Sequence, residues 1–411
     1  MKYSAVHGFY WSVMCSSIGF ASLFLLSKHF SNSQIGLVLA LANIFAVLLQ
    51  PAVAAFADRT RKISMKDLIV VLTAAAGALA AARAFQAGSF FVLAVLLTLE
   101  SAILNTLQPL VNSLGMQFIN KEVGINFGLA RGIGSISYAV LSVLLGILVD
   151  GFGTGLLPVI STGFYIALGI VLYTFTKKQS ADTESDTVFP ENRKLTSEPE
   201  NADTNHLVSF FIHNKKFAAL MIAVSLTFCS HTMINNYLIQ ITENVGGTAK
   251  EMGIATGIAA AIELPAMILF GFLVKKIRCS SILKFSLFFF TLKAALTMFA
   301  TNVWMLYVAQ IFQFSSYALF VPASVYYVNE IICKEDLAKG QAFMTSAITL
   351  GGVAASLLGG FLLDISGVRG MIFTGLIATA LGLVIGLYGI ERVEVKGCRS
   401  EQASSQESSV S

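Results

Sequence analysis

The sequence has few charged residues for its length. Only 12% of its 411 residues are charged, whereas 55% are apolar and the mean hydropathy is +0.75. Soluble domains carry about a quarter charged residues, so this chain lacks the polar surface that would keep it in solution. A hydrocarbon core about 30 Å thick needs roughly 20 apolar residues per spanning helix. The composition therefore excludes a soluble enzyme and a disordered chain, and it predicts a multi-span membrane protein.

Cysteine and the common catalytic motifs are also scarce. No two cysteines form a C-x-x-C pair, which argues against a disulfide framework and a metal site. No Walker motif or catalytic triad is present, and the glycines at 132 and 134 follow no predicted strand, so they do not form a nucleotide-binding loop. We expect no enzyme activity, no cofactor, no metal and no nucleic-acid partner. The five cysteines are Cys15, Cys229, Cys279, Cys333 and Cys398.

Apolar runs of spanning length recur along the chain, separated by short polar breaks. They predict twelve transmembrane helices with six on each side of a polar stretch, because each run matches the thickness of the bilayer. The predicted helices are 4–27, 33–56, 67–86, 89–117, 124–149, 154–176, 216–242, 250–274, 281–301, 303–328, 338–363 and 368–390.

Two polar segments divide the chain into parts. Residues 177–215 and 392–411 are rich in Ser, Thr, Glu and Asp and have little apolar content, so neither can build a core. We therefore predict an N-terminal six-helix bundle at 1–176, a cytoplasmic linker at 177–215, a C-terminal six-helix bundle at 216–391 and a disordered cytoplasmic tail at 392–411.

The placement of basic residues predicts the orientation. With both termini inside, 21 of the 27 Lys and Arg residues fall on the inner side and three on the outer side. The remaining three, Arg83, Arg131 and Lys293, lie within predicted spans. Cytoplasmic loops carry an excess of Lys and Arg, so we expect a multi-pass protein of the cytoplasmic membrane with both termini in the cytoplasm.

The two halves share short motifs at a nearly constant offset, which predicts duplicated six-helix halves in the same orientation. Such repeats are typical of transporters that bind their substrate at mid-depth between the halves. The matches are Pro109 with Pro322, Lys121-Glu122 with Lys334-Glu335, Gly146–Asp150 with Gly360–Asp364, and Gly36 with Gly253.

The loop after the second predicted helix carries an aspartate and a basic cluster, with an alanine, Ala54, four residues before the aspartate. This loop resembles the signature of the major facilitator superfamily, although an alanine replaces the usual glycine. Its residues are candidates for a gating contact with a neighbouring helix end; a solvated charged turn that follows the positive-inside rule is the alternative. The cluster is Asp58, Arg59, Arg61 and Lys62.

Further motifs are similar to the lactose permease branch, the oligosaccharide–proton symporters, and to its phenylpropionate and nucleoside permease relatives. The matching positions are Gln50-Pro51, Phe127–Arg131 and Leu292-Lys293. The resemblance implies an all-α membrane protein with twelve transmembrane helices in two pseudo-symmetric bundles, the major facilitator fold. It also implies alternating access with proton symport of a small organic solute, first of all a sugar or oligosaccharide.

Other functions remain open at this stage. A proton-coupled aromatic acid or nucleoside permease is the nearest alternative, and a drug efflux carrier is another. A non-transporting membrane receptor or scaffold belongs to a different class, but it would not need titratable groups at mid-depth. For a carrier, the expected partners are a small-molecule substrate, protons and the lipid bilayer, and the expected state is a monomer.

Five titratable residues lie deep within predicted spans. A charge at mid-bilayer costs about 2.5–3.5 kcal/mol on insertion scales, so each one requires a partner or a wet cavity. We predict that these side chains face one cavity between the two halves. They are Glu100, Arg131, His231, Glu263 and Lys293.

The resemblance assigns roles to three residues of the first half. Asn112 stands where the family has a sugar-binding carboxylate, Arg131 matches the substrate-binding arginine, and Tyr138 matches the aromatic that stacks on the sugar ring. Without the carboxylate, Arg131 would suit an anionic substrate better than a neutral sugar. Asn105 falls with Glu100 on the polar face of the fourth helix and is a further candidate for lining the cavity.

The second half departs from the family's proton relay. Gln313 replaces the family's histidine and Ser316 replaces its proton-carrying acid. We therefore expect Glu263, paired with Lys293, or Glu100 to couple proton entry to substrate entry. A static Glu263–Lys293 pair that fixes helix register is the alternative.

A polar patch on the seventh helix completes the predicted substrate site. His231, Asn235 and Asn236 lie together in an otherwise apolar run. They are candidates for hydrogen bonds to substrate, along with Gln313; a histidine satisfied within the bundle is the alternative for His231.

Overall fold

The computed structural model describes residues 2–59, 64–85, 89–120, 127–180, 214–332 and 336–391. These residues form helices joined by short loops, and no strand occurs among them. In the N-terminal half the helices are α1 (Lys2–Met14, Cys15–Gly19 and Ala21–Ser27), α2 (Asn32–Arg59), α3 (Met65–Phe85), α4 (Phe90–Asn120), α5 (Phe127–Phe152) and α6 (Leu156–Ser180).

The C-terminal half repeats this order. Its helices are α7 (Lys215–Asn236, continued by Leu238–Asn244), α8 (Ala249–Leu273), α9 (Cys279–Met298), α10 (Val303–Ile311, Phe314–Ala318 and Leu319–Ile331), and a long stretch from Leu337 to Gly389 that contains α11 and α12. The predicted boundaries agree with these to within a few residues wherever the chain is described, because apolar run length sets helix length in a bilayer.

Gly367 separates α11 from α12. Its φ of 68° lies in the left-handed region, which glycine adopts without steric cost. Eleven helices of the described chain are long and apolar enough to span a membrane, and the longest of them is interrupted at this glycine. The predicted twelve-helix fold in two bundles is therefore confirmed, with α11 at 337–366 and α12 at 368–389.

Two spanning helices contain a π-helical turn. In α1 the turn is Cys15–Gly19, and in α10 it is Phe314–Ala318. Serines within both turns bond back to the preceding helical turn, as Ser316 Oγ does to the carbonyl of Phe312 at 2.7 Å, and such bonds compete with regular helix. π-turns are frequent at functional sites, and these two place Ser17 and Tyr317 in the positions described below.

The two halves pack together through α2 against α11 and α5 against α8. Gly253 of α8 is so close to α5 that an added Cβ would lie 3.0 Å from the Cα of Gly146. Gly36 of α2 is pressed in the same way against the carbonyl of Ser356 on α11. Gly36 and Gly253 are partners in the sequence repeat, so the two contacts are related by the pseudo-symmetry of the halves.

A hydrophobic cluster joins the halves at one end of the bundle, the end where α1 stops and α2 begins. We call it the closed end. Leu25, Ile35 and Leu145 of the first half pack there in one cluster with Tyr237 and Ile239 of the second. Separate clusters fill the interior of each half. Many large apolar side chains, such as Leu48 and Phe272, are exposed, as expected of a chain that contacts lipid.

The predicted gating loop lies at the limit of the described chain. Asp58 and Arg59 are the last residues of α2, and their side chains are not described. Arg61 and Lys62 lie outside the described residues, as do 181–213 of the predicted linker and 392–411 of the predicted tail. The gating role of this loop stays a prediction.

Candidate functional site

A hydrogen-bonded chain of three side chains connects α8, α9 and α10. The Lys293 Nζ donates to Gln313 Oε1 at 2.7 Å, and Gln313 Nε2 donates to Glu263 Oε1 at 3.2 Å. Lys293 is 1% exposed and Gln313 is 4% exposed, whereas Glu263 is only half-buried. An amide that accepts from the ammonium and donates to the carboxylate therefore links two opposite charges.

The predicted pairing of Glu263 with Lys293 runs through Gln313 in the structure. No nitrogen–oxygen ion pair within 4.0 Å joins them in the described part of the chain. Their separation leaves room for one side chain, and Gln313 fills it. Sequence reasoning placed Gln313 as a substrate ligand and missed this bridging contact, because depth on a helix does not give side-chain reach.

The charges of the two halves meet at this chain. Arg131 of α5 and Lys293 both lie within electrostatic range of Glu263. Tyr138 of α5 and Tyr317 of α10 have the same carboxylate as a neighbour. The structure thus places Arg131 and Tyr138 of the first half near Glu263 of the second half. The prediction of one shared cavity is wrong for Glu100, which is fully buried inside the first half, and the roles of the other residues stay predictions.

Arg131 lies against an aromatic wall of the first half. Its guanidinium is 4.1 Å from the ring centroid of Trp11, and Nη1 donates to Ser135 Oγ at 3.3 Å. The Trp11 ring meets Tyr138 edge-on with centroids 6.1 Å apart. Among the described residues Arg131 has no ion-pair partner, so most of its donors remain for a ligand.

Trp11 was not predicted as a site residue. It lies in the apolar run of α1, where a single aromatic gives no signal that distinguishes a cavity wall from a core residue. The backbone makes room for this wall: an added Cβ at Gly19 would lie 2.6 Å from the Tyr138 hydroxyl, and one at Gly134 would strike the Trp11 ring.

His231 forms an aromatic cluster on the side of the second half. Its ring stacks on Tyr317 with centroids 5.1 Å apart, and the edges of Phe228 and Phe290 pack around it. The Asn235 amide donates to His231 Nε2 at 3.0 Å. A neutral ring then carries its proton on Nδ1, and this buried nitrogen has no partner among the described residues. His231 therefore has one unused hydrogen-bonding nitrogen, and this atom is closed to solvent.

Three predicted polar residues take other positions. Asn236 donates to Ser356 Oγ at 3.0 Å and so joins α7 to α11 within one half. Asn105 and Asn112 are half-buried on α4, and the carbonyl of Asn105 accepts a 3.4 Å bond from Gln50. Their roles in substrate binding stay predictions.

Glu100 lies in a separate buried network inside the first half. Arg83 Nη2 approaches Glu100 Oε2 at 3.0 Å, and Ser17 Oγ donates to Glu100 Oε1 at 2.6 Å. The arginine also lies over the Phe24 ring at 5.2 Å, and Glu100 is fully buried. Arg83 was predicted to lie within a span but had no predicted role. The network links α1, α3 and α4, so it is better suited to holding this bundle together than to coupling.

We expect replacement of Arg83 by Met to destabilise the protein by about 3–5 kcal/mol, because a fully buried carboxylate then loses its partner. The double change Arg83→Met with Glu100→Gln removes both charges and should recover most of this loss. Thermal unfolding of the purified protein measures both. Equal stability of the single and double variants would contradict a tightly paired network.

A match to a protein-family model shows which family this chain belongs to. A family model described as the MFS_1 like family matches residues 1–373. The chain belongs to the MFS_1 like family. Among curated relatives, the maltose permease of Geobacillus stearothermophilus is 25% identical over 378 residues, covering 89% of this chain and 88% of the relative. An uncharacterized transporter, YwbF of Bacillus subtilis (strain 168), is 25% identical over 333 residues, covering 80% and 78%.

Solved structures agree on the fold of this MFS_1 like protein. A nucleoside transporter, NupG (D323A mutant), superposes with a TM-score of 0.79 at 14% identity and covers 94% of this chain and 98% of its own. An auto-inhibited POT family peptide transporter gives a TM-score of 0.72 at 11% identity, covering 97% and 98%. These identities support the fold alone. Together with the family match, they make this chain a multi-pass membrane transporter of the major facilitator type.

Proposed function

We propose that this transporter moves a small organic solute by proton symport through the site between its halves. The observation that carries the proposal is the Lys293–Gln313–Glu263 chain facing Arg131 across the interface. Glu263 is half-buried, accepts one hydrogen bond from the Gln313 amide and has two cations nearby, so it can be ionised in this arrangement. It can take up a proton when Arg131 moves away with the other half. Solute binding and proton binding would then share one set of charges.

The relative motion of the halves provides the coupling step. Arg131 belongs to the first half, whereas Glu263, Gln313 and Lys293 belong to the second. When the halves rock about the central site, the distance between Arg131 and Glu263 changes, while the chain within the second half remains. The affinity of Glu263 for a proton then differs between the two states, because a nearby cation favours the ionised carboxyl group.

A sugar or oligosaccharide is the first candidate substrate. The resemblance to the oligosaccharide–proton symporters and the similarity to a maltose permease over 89% of the chain support it. The site offers donors for hydroxyl groups at Arg131, and aromatic faces at Trp11 and Tyr138 for a sugar ring.

An aromatic acid or a nucleoside is the second candidate. Arg131 lies on the face of Trp11 without an acidic partner in the described chain. A cation held beside the rings of Trp11 and Tyr138 suits a planar anion as well as a hydroxylated ring. The fold similarity to a nucleoside transporter is compatible with this class.

We further propose that the protein works as a monomer in the cytoplasmic membrane, with both termini in the cytoplasm. The closed end then faces the outside. The lipid-exposed apolar surface and the excess of basic residues on the opposite side support this orientation. The structure would correspond to a carrier that is shut toward the outside.

A thermal-shift screen of the purified protein tests the substrate class. The panel is maltose, uridine and 3-phenylpropionate, each with the Arg131→Gln variant alongside. Stabilisation of the native protein by one class, lost in the variant, identifies the substrate chemistry, because a ligand that binds only the folded state raises its stability. Uptake of the stabilising compound into vesicles then distinguishes a carrier from a protein that only binds it.

A further inference from the structure

We propose that Asp364 and Asp150 form a pseudo-symmetric latch that holds the closed end shut. Each aspartate lies at the end of one half's helix and bonds to the start of a helix in the other half. The inference concerns how the halves lock together and does not depend on the substrate or the coupling ion.

Asp364 at the end of α11 caps the start of α2. Its Oδ1 accepts from the backbone N and the Nδ2 of Asn32 at 3.1 and 2.9 Å. Its Oδ2 accepts from the backbone N and the Oγ of Ser33 at 2.8 and 2.5 Å. One carboxylate therefore takes four hydrogen bonds from the opposite half, and the first N–H groups of a helix are the ones that lack internal partners.

Asp150 at the end of α5 occupies the matching position. Its Oδ2 accepts from the Oγ1 of Thr248 at 2.5 Å, and Thr248 is the N-cap residue of α8. Asp150 and Asp364 are the partners of the Gly146–Asp150 and Gly360–Asp364 repeat. The glycines of the same repeat bring the helices together, since Gly146 meets Ala249 and Gly360 meets Asn32.

The two contacts differ in strength. Thr248 has a second carboxylate partner, because Glu251 Oε2 accepts from its backbone N at 2.8 Å and lies 2.6 Å from its Oγ1, where it competes with Asp150 for the one hydroxyl proton. Loss of Asp150 thus leaves the α8 cap intact. The start of α2 also has a cap within its own half, because Ser31 Oγ accepts from the backbone N of Gln34 at 3.2 Å and Gln34 Oε1 accepts from the backbone N of Ser31 at 2.9 Å. Loss of Asp364 therefore removes four hydrogen bonds between the halves, whereas loss of Asp150 removes one.

A glutamine extends the Asp364 contact across the bundle. Gln240 Nε2 donates to Ser22 Oγ and to Asn32 Oδ1, both at 3.0 Å. The bonded series runs from Ser22 through Gln240 and Asn32 to Asp364, and it joins α1, α7, α2 and α11. All four of these positions are at the closed end, so release of Asp364 removes the last member of a shared network.

Spin-label distances test the latch. Cysteines replace His29 of the first half and Asn244 of the second, both exposed at the closed end, in a protein whose native cysteines are replaced by serine. The labelled protein is studied in lipid nanodiscs without solute. Asp364→Ala should raise the population with a longer distance roughly 2- to 30-fold, the range for loss of one side chain that accepts from the N-terminal N–H groups of a helix. Asp150→Ala should give a smaller rise.

Asp67→Ala is the matched control. Asp67 accepts from the backbone N and Oγ of Ser64 at the start of α3, but this cap lies within one half. The Asp67→Ala variant should leave the distance distribution between the two spin labels unchanged. Ser33→Ala removes one bond and keeps the carboxylate, so it tests the latch even if Asp364→Ala fails to fold. Distances for both Asp364→Ala and Ser33→Ala that equal those of Asp67→Ala would overturn the proposal.

Discussion

Replacement of Glu263 by Gln is expected to abolish accumulation of the solute while exchange of solute across the membrane continues. The amide has nearly the same shape and can still bond to Gln313, but it cannot carry a proton. For a neutral solute, a potential of about 100 mV is worth about 2.3 kcal/mol for each charge moved, so one coupled proton supports roughly 50-fold accumulation. The variant should reach only the outside concentration.

The measurement uses proteoliposomes and the panel compound that stabilises the protein. The driving force is an imposed potential for a neutral solute and an imposed pH gradient for an anionic one, because symport of one proton with a monoanion moves no net charge. Counterflow of labelled solute, with no gradient of protons, is measured in the same preparation. The matched control is Glu243→Gln, since Glu243 is an exposed carboxylate on α7 and forms no part of the chain with Lys293. It should accumulate solute as the unmodified protein does.

The comparison of accumulation with exchange distinguishes a proton-carrying Glu263 from a purely structural one. A static Glu263 that only fixes helix register would reduce accumulation and exchange together, through loss of folded protein. Full accumulation by the Glu263→Gln variant would refute its role as the proton carrier. Parallel loss of accumulation by Glu100→Gln would move that role to the buried network of the first half, although its pairing with Arg83 argues against this.

The fold could be predicted because the thickness of the bilayer fixes the length of each spanning helix. The length of the apolar runs gave twelve spans, and the offset between Gly36 and Gly253 gave the relation between halves. The break between α11 and α12 at Gly367 has no extended polar loop, yet the length limit of a spanning helix still placed it correctly. These features depend on distances along the helix axis, which residue counting supplies.

The candidate site was predictable only in part, because side-chain partners depend on helix rotation. Depth alone placed Glu263 and Lys293 at the same level, but it did not show that Gln313 lies between them. The π-helical turn in α10 shifts the rotation of the residues after it, and no sequence period signals that shift. Arg83 was assigned to a span without a partner, whereas packing of α3 on α4 gives it Glu100.

Arg131 variants are expected to distinguish the two substrate classes. Replacement by Gln removes the charge and most of the donors that face the site, so affinity should fall roughly 10- to 150-fold, the range of about 1.5–3 kcal/mol for a hydrogen bond to a charged group. Solute titration of the purified protein by thermal shift measures this. Ser135→Ala, which removes a neighbouring hydroxyl but keeps the guanidinium, is the matched control and should bind normally.

The Arg131→Lys variant distinguishes an anionic substrate from a neutral sugar. Lysine keeps the positive charge but lacks the planar fork that bonds to two acceptors at once. For an anionic substrate the charge supplies much of the attraction, so the Lys variant should bind better than the Gln variant. For a neutral sugar the paired hydrogen bonds matter more than the charge, and the two variants should be equally weak. Normal affinity in the Gln variant would contradict any role of Arg131 in binding, and would leave its contact with Trp11 as a feature of packing.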